Sequence, residues 1–152
     1  MSEGTIRDAI VAVIRKHADF SSANVGSNDF RMLGSGQIRA VVVGIGEYVE
    51  RDATLLAIEN TWTHPIIVAR QWPGQLPDAL TSLEIEVEKV KSQLKAWQNL
   101  DAGYWGATLP GVQRVTIQTR GEAKYMEART GSYAYQEMNI ITVEMEIPTR
   151  SE

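Results

Sequence analysis

The feature that most constrains this chain is a stripe of apolar residues between positions 77 and 100. Leu80, Leu83, Val87, Val90, Leu94 and Trp97 follow a 3-4-3-4-3 spacing. Such spacing keeps one side of an α-helix apolar for about five turns, roughly 26 Å at 1.5 Å per residue. Pro77 and Asp78 suit its first turn, and Gly103 suits a stop just beyond its end. A coiled coil needs more heptads, so the seam calls for a sheet to cover it. Ile85 lies beside the seam and is expected to widen the buried face. Glu84, Glu86 and Glu88, followed by Lys89, Lys91 and Lys95, read as the solvated back of the helix.

The material for a sheet lies on both sides of that helix. Residues 38 to 49 and about 55 to 70 are rich in β-branched and aromatic residues, which favours strands. The second is expected to break near Glu59 and Asn60, and Pro65 argues for an edge position because proline cannot donate to a ladder. Farther on, Val115, Ile117 and Thr119 alternate with Thr116, Gln118 and Arg120. Ile141, Val143, Met145 and Ile147 alternate with Thr142, Glu144 and Glu146. Both segments read as half-buried strands.

If the last two strands form one hairpin, parity fixes its loop. A two-residue loop at Thr130 and Gly131 mixes the faces, whereas a three-residue loop at 130 to 132 sets Ile117 opposite Met145 and Thr119 opposite Val143. The hairpin would then run past the body. Its outer part, 121 to 136, reads either as an irregular loop or as an arm lying on a neighbouring subunit. Tyr125, Met126, Arg129, Tyr133 and Tyr135 would be the contact residues of such an arm. Trp72 and Trp105, in loops rich in proline and glycine, are further candidates for interface anchors or, in the alternative of a small soluble ligand-binding module, for the walls of its cleft.

At the N-terminus, "TIRDAIVAVIRKHA" places Ile6, Ile10, Val13, Ile14 and His17 along one helical stripe, with Thr5 and Asp8 spaced as a capping box. The following "SSANVGSNDFRMLGSGQ" has no sustained period and reads as a long connection. In a chain of 152 residues this adds up to a single domain, 1–152. The expected class is α+β: a mixed or antiparallel sheet of about four to five strands, a long helix packed on one face, and an N-terminal helix.

Chemistry is thin. With no cysteine, thiolate catalysis, disulfides and cysteine-ligated metals are excluded. A net charge of −4 opposes non-specific binding of nucleic acid or anionic membrane. The one local basic excess, Arg114, Arg120, Lys124 and Arg129, is interrupted by Glu122 and Glu127 and reads as a solvated strand face. No apolar run reaches eighteen residues and the start lacks a signal-peptide pattern, so a cytoplasmic origin is expected.

"VVVGIGEYVE" at 41 to 50 invites comparison with a phosphate-binding loop. Val49 stands where a dinucleotide fingerprint needs its third glycine, no helical stripe follows, and no Gly-Lys-Ser or Gly-Lys-Thr occurs. Gly44 and Gly46 are therefore expected to mark a bulge or a close approach in a strand. His17 and His64 have no partner at a metal-ligand spacing and read as structural or surface residues. No catalytic residue, cofactor or metal is expected.

The layout as a whole, helix, long loop, two strands, long helix and a closing pair of strands, resembles the tail-terminator and neck-completion proteins of long-tailed bacteriophages. "TIRDAIVAVIRKHA", "IRAVVVGIG", "NTWTHPIIVAR", "PDALTSLEIEVEKVKSQLKAWQNL", "VQRVTIQTR" and "MNIITVEMEIP" carry the resemblance. It implies a structural virion protein, assembled in the host cytoplasm and located at the tail end. It implies a homo-oligomeric ring, a hexamer, that ends tail-tube growth and offers a head-joining surface. The partners implied are the tail tube protein and a head-completion or connector protein. DNA would pass through without specific binding, and no membrane is involved.

Overall fold

The structure, a computed structural model, describes residues 3–20, 25–26, 39–54, 57–71, 76–99, 112–128 and 131–146. The elements are α1 (Glu3–Arg15), β1 (Val25–Gly26), β2 (Arg39–Val43), β3 (Glu47–Thr54), β4 (Ala57–Gln71), α2 (Leu76–Asn99), β5 (Val112–Ala128) and β6 (Gly131–Glu146). The fold is α+β, with a six-stranded mixed sheet that does not close on itself. Its order is β1-β2-β4-β6-β5, and β3 pairs with β4 as well. Only β1 and β2 run parallel. The sheet thus has one strand more than the largest number the sequence suggested. One additional strand, β1, falls inside the expected long connection.

The expected first strand is two. β2 pairs with residues 66–70 of β4 and β3 with residues 57–63, so both lie on the same side of β4, separated by Gly44, Ile45 and Gly46. Correspondingly, β4 does not break near Glu59 and Asn60 and is not an edge. It is flanked by β6 along residues 58–71. Pro65 is accommodated by the interruption opposite it. The Gly44 N–H donates to the Pro65 carbonyl at 2.8 Å, and in an antiparallel strand a residue's N and C=O point to the same neighbour. The donor that proline lacks therefore faces the gap between β2 and β3.

The two glycines answer to close approach. A Cβ on Gly44 would lie 2.8 Å from the Pro65 ring, and one on Gly46 would lie 2.5 Å from the His64 imidazole. No helix follows them, since β3 begins at Glu47.

The β5–β6 hairpin differs from the parity expectation. Ala128 pairs with Gly131, so residues 129–130 connect the strands, and Ile117 stands opposite Ile140 rather than Met145. Between Arg120, opposite Glu137, and Lys124, opposite Tyr135, three residues of β5 face the single Gln136. The parity argument assumed an uninterrupted ladder, and this bulge shifts the register within it. Gly121 takes φ +68° there, a conformation that glycine adopts without a Cβ penalty. The Gln136 side-chain amide donates to the carbonyls of Arg120 and Gly121, both at 2.9 Å, and so satisfies acceptors that the bulge takes out of the ladder.

The hairpin is also not a bare ribbon. β4 accompanies β6 up to the pair Gln71 and Tyr133, so only the tip extends past its neighbour.

One large cluster forms the core. It joins Ile6, Ile10, Val13 and Ile14 of α1, Leu83, Val87, Val90 and Leu94 of α2, and Val41, Val43, Ile66, Val68, Val115, Met138 and Ile140 of the strands. By alternation and register these strand residues share one face of the sheet. On β6 the alternation works out differently from the sequence expectation. Met138, Ile140 and Thr142 are buried on that first face, whereas Ile141 and Val143 point to the second.

The seam of α2 is as expected, with two corrections beside it. Ile85 is 53% exposed and does not widen the buried face, while Glu86 is buried at 2%. In α1 the helix is already under way at Thr5, so Thr5 and Asp8 do not form a cap at its start. His17 lies beyond its last turn.

Candidate interaction surface

Two buried polar sites lie where the helices meet the strands, one at α1 and one at α2. His64, on β4, is fully buried with Trp62 stacked on it at 6.3 Å between ring centroids. Its Nε2 lies 3.3 Å from Oε1 of Glu3, in the first turn of α1. The same oxygen accepts the Gly46 N–H at 3.0 Å and stands 3.6 Å from Arg7. Glu3 thereby ties the start of α1 to the β2–β3 connection. Burial pushes the His64 pKa below the ordinary 6.5, against the pull of the Glu3 carboxylate, and Arg7 adds to the lowering. A neutral imidazole with no well-formed hydrogen bond at either nitrogen is a structural histidine. Gly46 was its only signal in the sequence.

The second site centres on Glu86. Its Oε1 accepts from Arg70 at 2.7 Å and from Arg39 at 3.1 Å, with Lys89 at 3.4 Å. Oε2 lies 3.1 Å from Arg39 Nε. Lys89 also reaches Asp19 at 3.1 Å, and that contact holds the Asp19 carboxyl below the ordinary carboxylate range. Arg39 further donates to the Asp19 carbonyl and lies over the Phe20 ring. One buried carboxylate thus fastens α2 to β2 and β4, and its partners Lys89 and Arg39 reach on to Asp19 in the segment after α1. Helical spacing missed it because Glu86, next to Val87, reads as solvated unless the two arginines of neighbouring strands are known to lie beneath it.

The expected contact residues fare differently. Trp72, Trp105 and Arg129 lie outside the described residues. Met126 pairs with Tyr133 in the ladder. Tyr133 is a correction: it is fully buried on the second face with Ala40 and Ala69, with Tyr135 half-buried beside it. The two alanines leave room for the ring. Tyr125 is exposed, at 44%. It borders a groove of about 580 Å³ between α2 and β5, lined also by Leu83, Val87, Ala123 and Gln136.

Exposed apolar side chains gather at the sheet margins. Ile45, Tyr48 and Val49 lie on or next to β3, and Tyr125 lies on β5. Ile85 is the other exposed large apolar residue among those described. Among the described residues, no group of three His, Asp or Glu side chains is placed to hold a metal ion, and no helix is long and apolar enough to cross a membrane.

No family model matches this chain, and no curated protein matches it.

Proposed function

We propose that this protein is a structural virion protein that assembles as a ring, a hexamer, at the end of a phage tail tube. There it stops tube growth and offers a surface to the head. The observation that carries the reading is the element order: a helix, a long connection, strands, a long helix, then a long closing hairpin. It is the order on which the resemblance to tail-terminator and neck proteins rests. In this reading α2 lies along one face of the sheet beside α1, and the margins are left for neighbouring copies, the tail tube protein and a head-completion protein. An acidic chain suits a passage for DNA, since a lumen without strong positive charge would not retain phosphates.

The test is mass in solution by light scattering over a range of concentrations, with and without tail tubes, followed by negative-stain imaging. A ring, alone or only on tubes, is the expected result. A monomer indifferent to both concentration and tubes would overturn the reading. Rings that bind isolated heads but not tubes would assign the protein to the neck instead.

A further inference from the structure

We propose that the groove between α2 and β5 takes a short extended segment of a partner protein in which basic residues alternate with apolar ones. This goes beyond the ring reading and does not rest on it. The groove measures about 580 Å³, within the roughly 300 to 1,000 Å³ of ligand clefts. Along α2 its lining runs from Leu80 to Lys91, about 16 Å at 1.5 Å per residue, the length of about five extended residues.

The β5 wall is shaped by the bulge. Thr119 and Tyr125 stand opposite Met138 and Ala134 of the core cluster, so this side of β5 faces the core. Between them, residues 121–123 stand against Gln136 alone. A bulge bends its strand and redirects the side chains within it. Here Ala123 packs against the core cluster while Glu122 is exposed. The Gln136 amide, holding the carbonyls of Arg120 and Gly121, fastens that shape from the neighbouring strand.

The lining names the chemistry of the occupant. Leu80, Leu83, Val87 and Ala123 are apolar, and Leu80 and Ala123 are only half-buried, so covering them calls for an apolar side chain. Glu84, Glu88 and Glu122 are exposed around them, with Lys91 lying 3.9 Å from Glu88. Three carboxylates against one lysine leave the described lining residues at a charge of −2. Glu84 and Glu88, four residues apart on the helix, form a like-charged pair that repels and that a cation would relieve. Their separation of about 6 Å along the axis matches the step of about 6.6 Å between alternate residues of an extended chain. Such residues point the same way. Two basic side chains can therefore meet Glu84 and Glu88 while the apolar one between them turns toward Ala123 on the opposite wall. Nucleic acid or an anionic membrane would meet the same carboxylates and be repelled.

The probe is a labelled peptide, Arg-Leu-Arg-Leu-Arg with both ends capped, whose fluorescence anisotropy is read as the protein is titrated in. Binding should saturate, and it should weaken as salt is added because the carboxylates are exposed. Glu84→Gln, Glu88→Gln and Glu122→Gln together should weaken it about tenfold, the combined effect of three exposed ion pairs. Thr119→Trp, which fills the groove from an exposed position, should abolish it. Glu47→Gln, Glu50→Gln and Asp52→Asn, which remove the same charge from exposed positions of β3, should leave it unchanged. Circular dichroism checks the fold of every variant. Equal weakening in the two triple variants would assign the binding to the acidic surface at large and overturn the site. Equal binding of Arg-Ser-Arg-Ser-Arg would remove the apolar contact and overturn it too, as would the lack of saturation. A fall in the mass of the protein in light scattering on Thr119→Trp would make the occupant a second copy and overturn the partner segment.

Discussion

The two buried polar sites solve the same problem in opposite ways. Beneath α1, His64 is kept uncharged and enclosed, with a single carboxylate at 3.3 Å. At α2, the Glu86 carboxylate is met by two arginines and a lysine, each about a quarter exposed. Partial exposure matters here, because cations that retain water lower the desolvation cost of the pair while still neutralising the carboxylate. The comparison teaches that enclosure selects neutrality where partners are few, and ion pairing where cations can converge from several strands.

The largest effect should come from removing the carboxylate. Glu86→Ala leaves Arg39 and Arg70 half-buried without a counter-charge, and a loss of about 3 kcal/mol is expected in urea unfolding. A loss below about 1 kcal/mol would mean that the guanidinium groups find water and that the site is peripheral. Next comes Gly46→Ala. Its methyl would collide with the His64 ring, which is fully buried and cannot swing away, and overpacking of this kind costs about 2 kcal/mol. Unchanged stability would show that β3 can move off β4.

A smaller effect separates the sites by pH. Because the His64 pKa is lowered on folding, the unfolded chain takes up its proton first as pH falls through 6.5, and the folded chain does not. Stability should therefore decline as pH falls below 6.5, until the lowered folded-state pKa is reached. Glu3 and Arg7 face the ring and set how far that window extends. In His64→Gln the decline should flatten, as read by Tm against pH. Parallel curves for the two proteins would assign the dependence elsewhere. The smallest effect is expected at Ile85, one residue from Glu86. Ile85→Lys should change stability by no more than about 0.5 kcal/mol, since the side chain is exposed.

The legible parts of the molecule were those in which neighbouring residues carry the signal. The α2 seam was read correctly through Leu83, Val87, Val90 and Leu94, and the glycines at 44 and 46 were read as a bulge or a close approach instead of a phosphate loop, of which the structure shows the close approach. Less of the candidate site was legible. Tyr125 is exposed as an interface residue requires, but Tyr133 is not, because its environment depends on β4, some sixty residues earlier in the chain. Glu86 escaped for the same reason, its cations arriving from β2 and β4.

By itself the sequence determined the class, the helices, the strand-forming segments and the exclusion of thiol chemistry, because periodicity and composition are properties of consecutive residues. Tertiary structure decided the rest: that β2 and β3 share one side of β4, that Pro65 faces the gap between them, and that a three-for-one bulge resets the hairpin. Each of these depends on register between distant segments, where a shift of one residue exchanges the two faces of a strand and no local pattern forbids it.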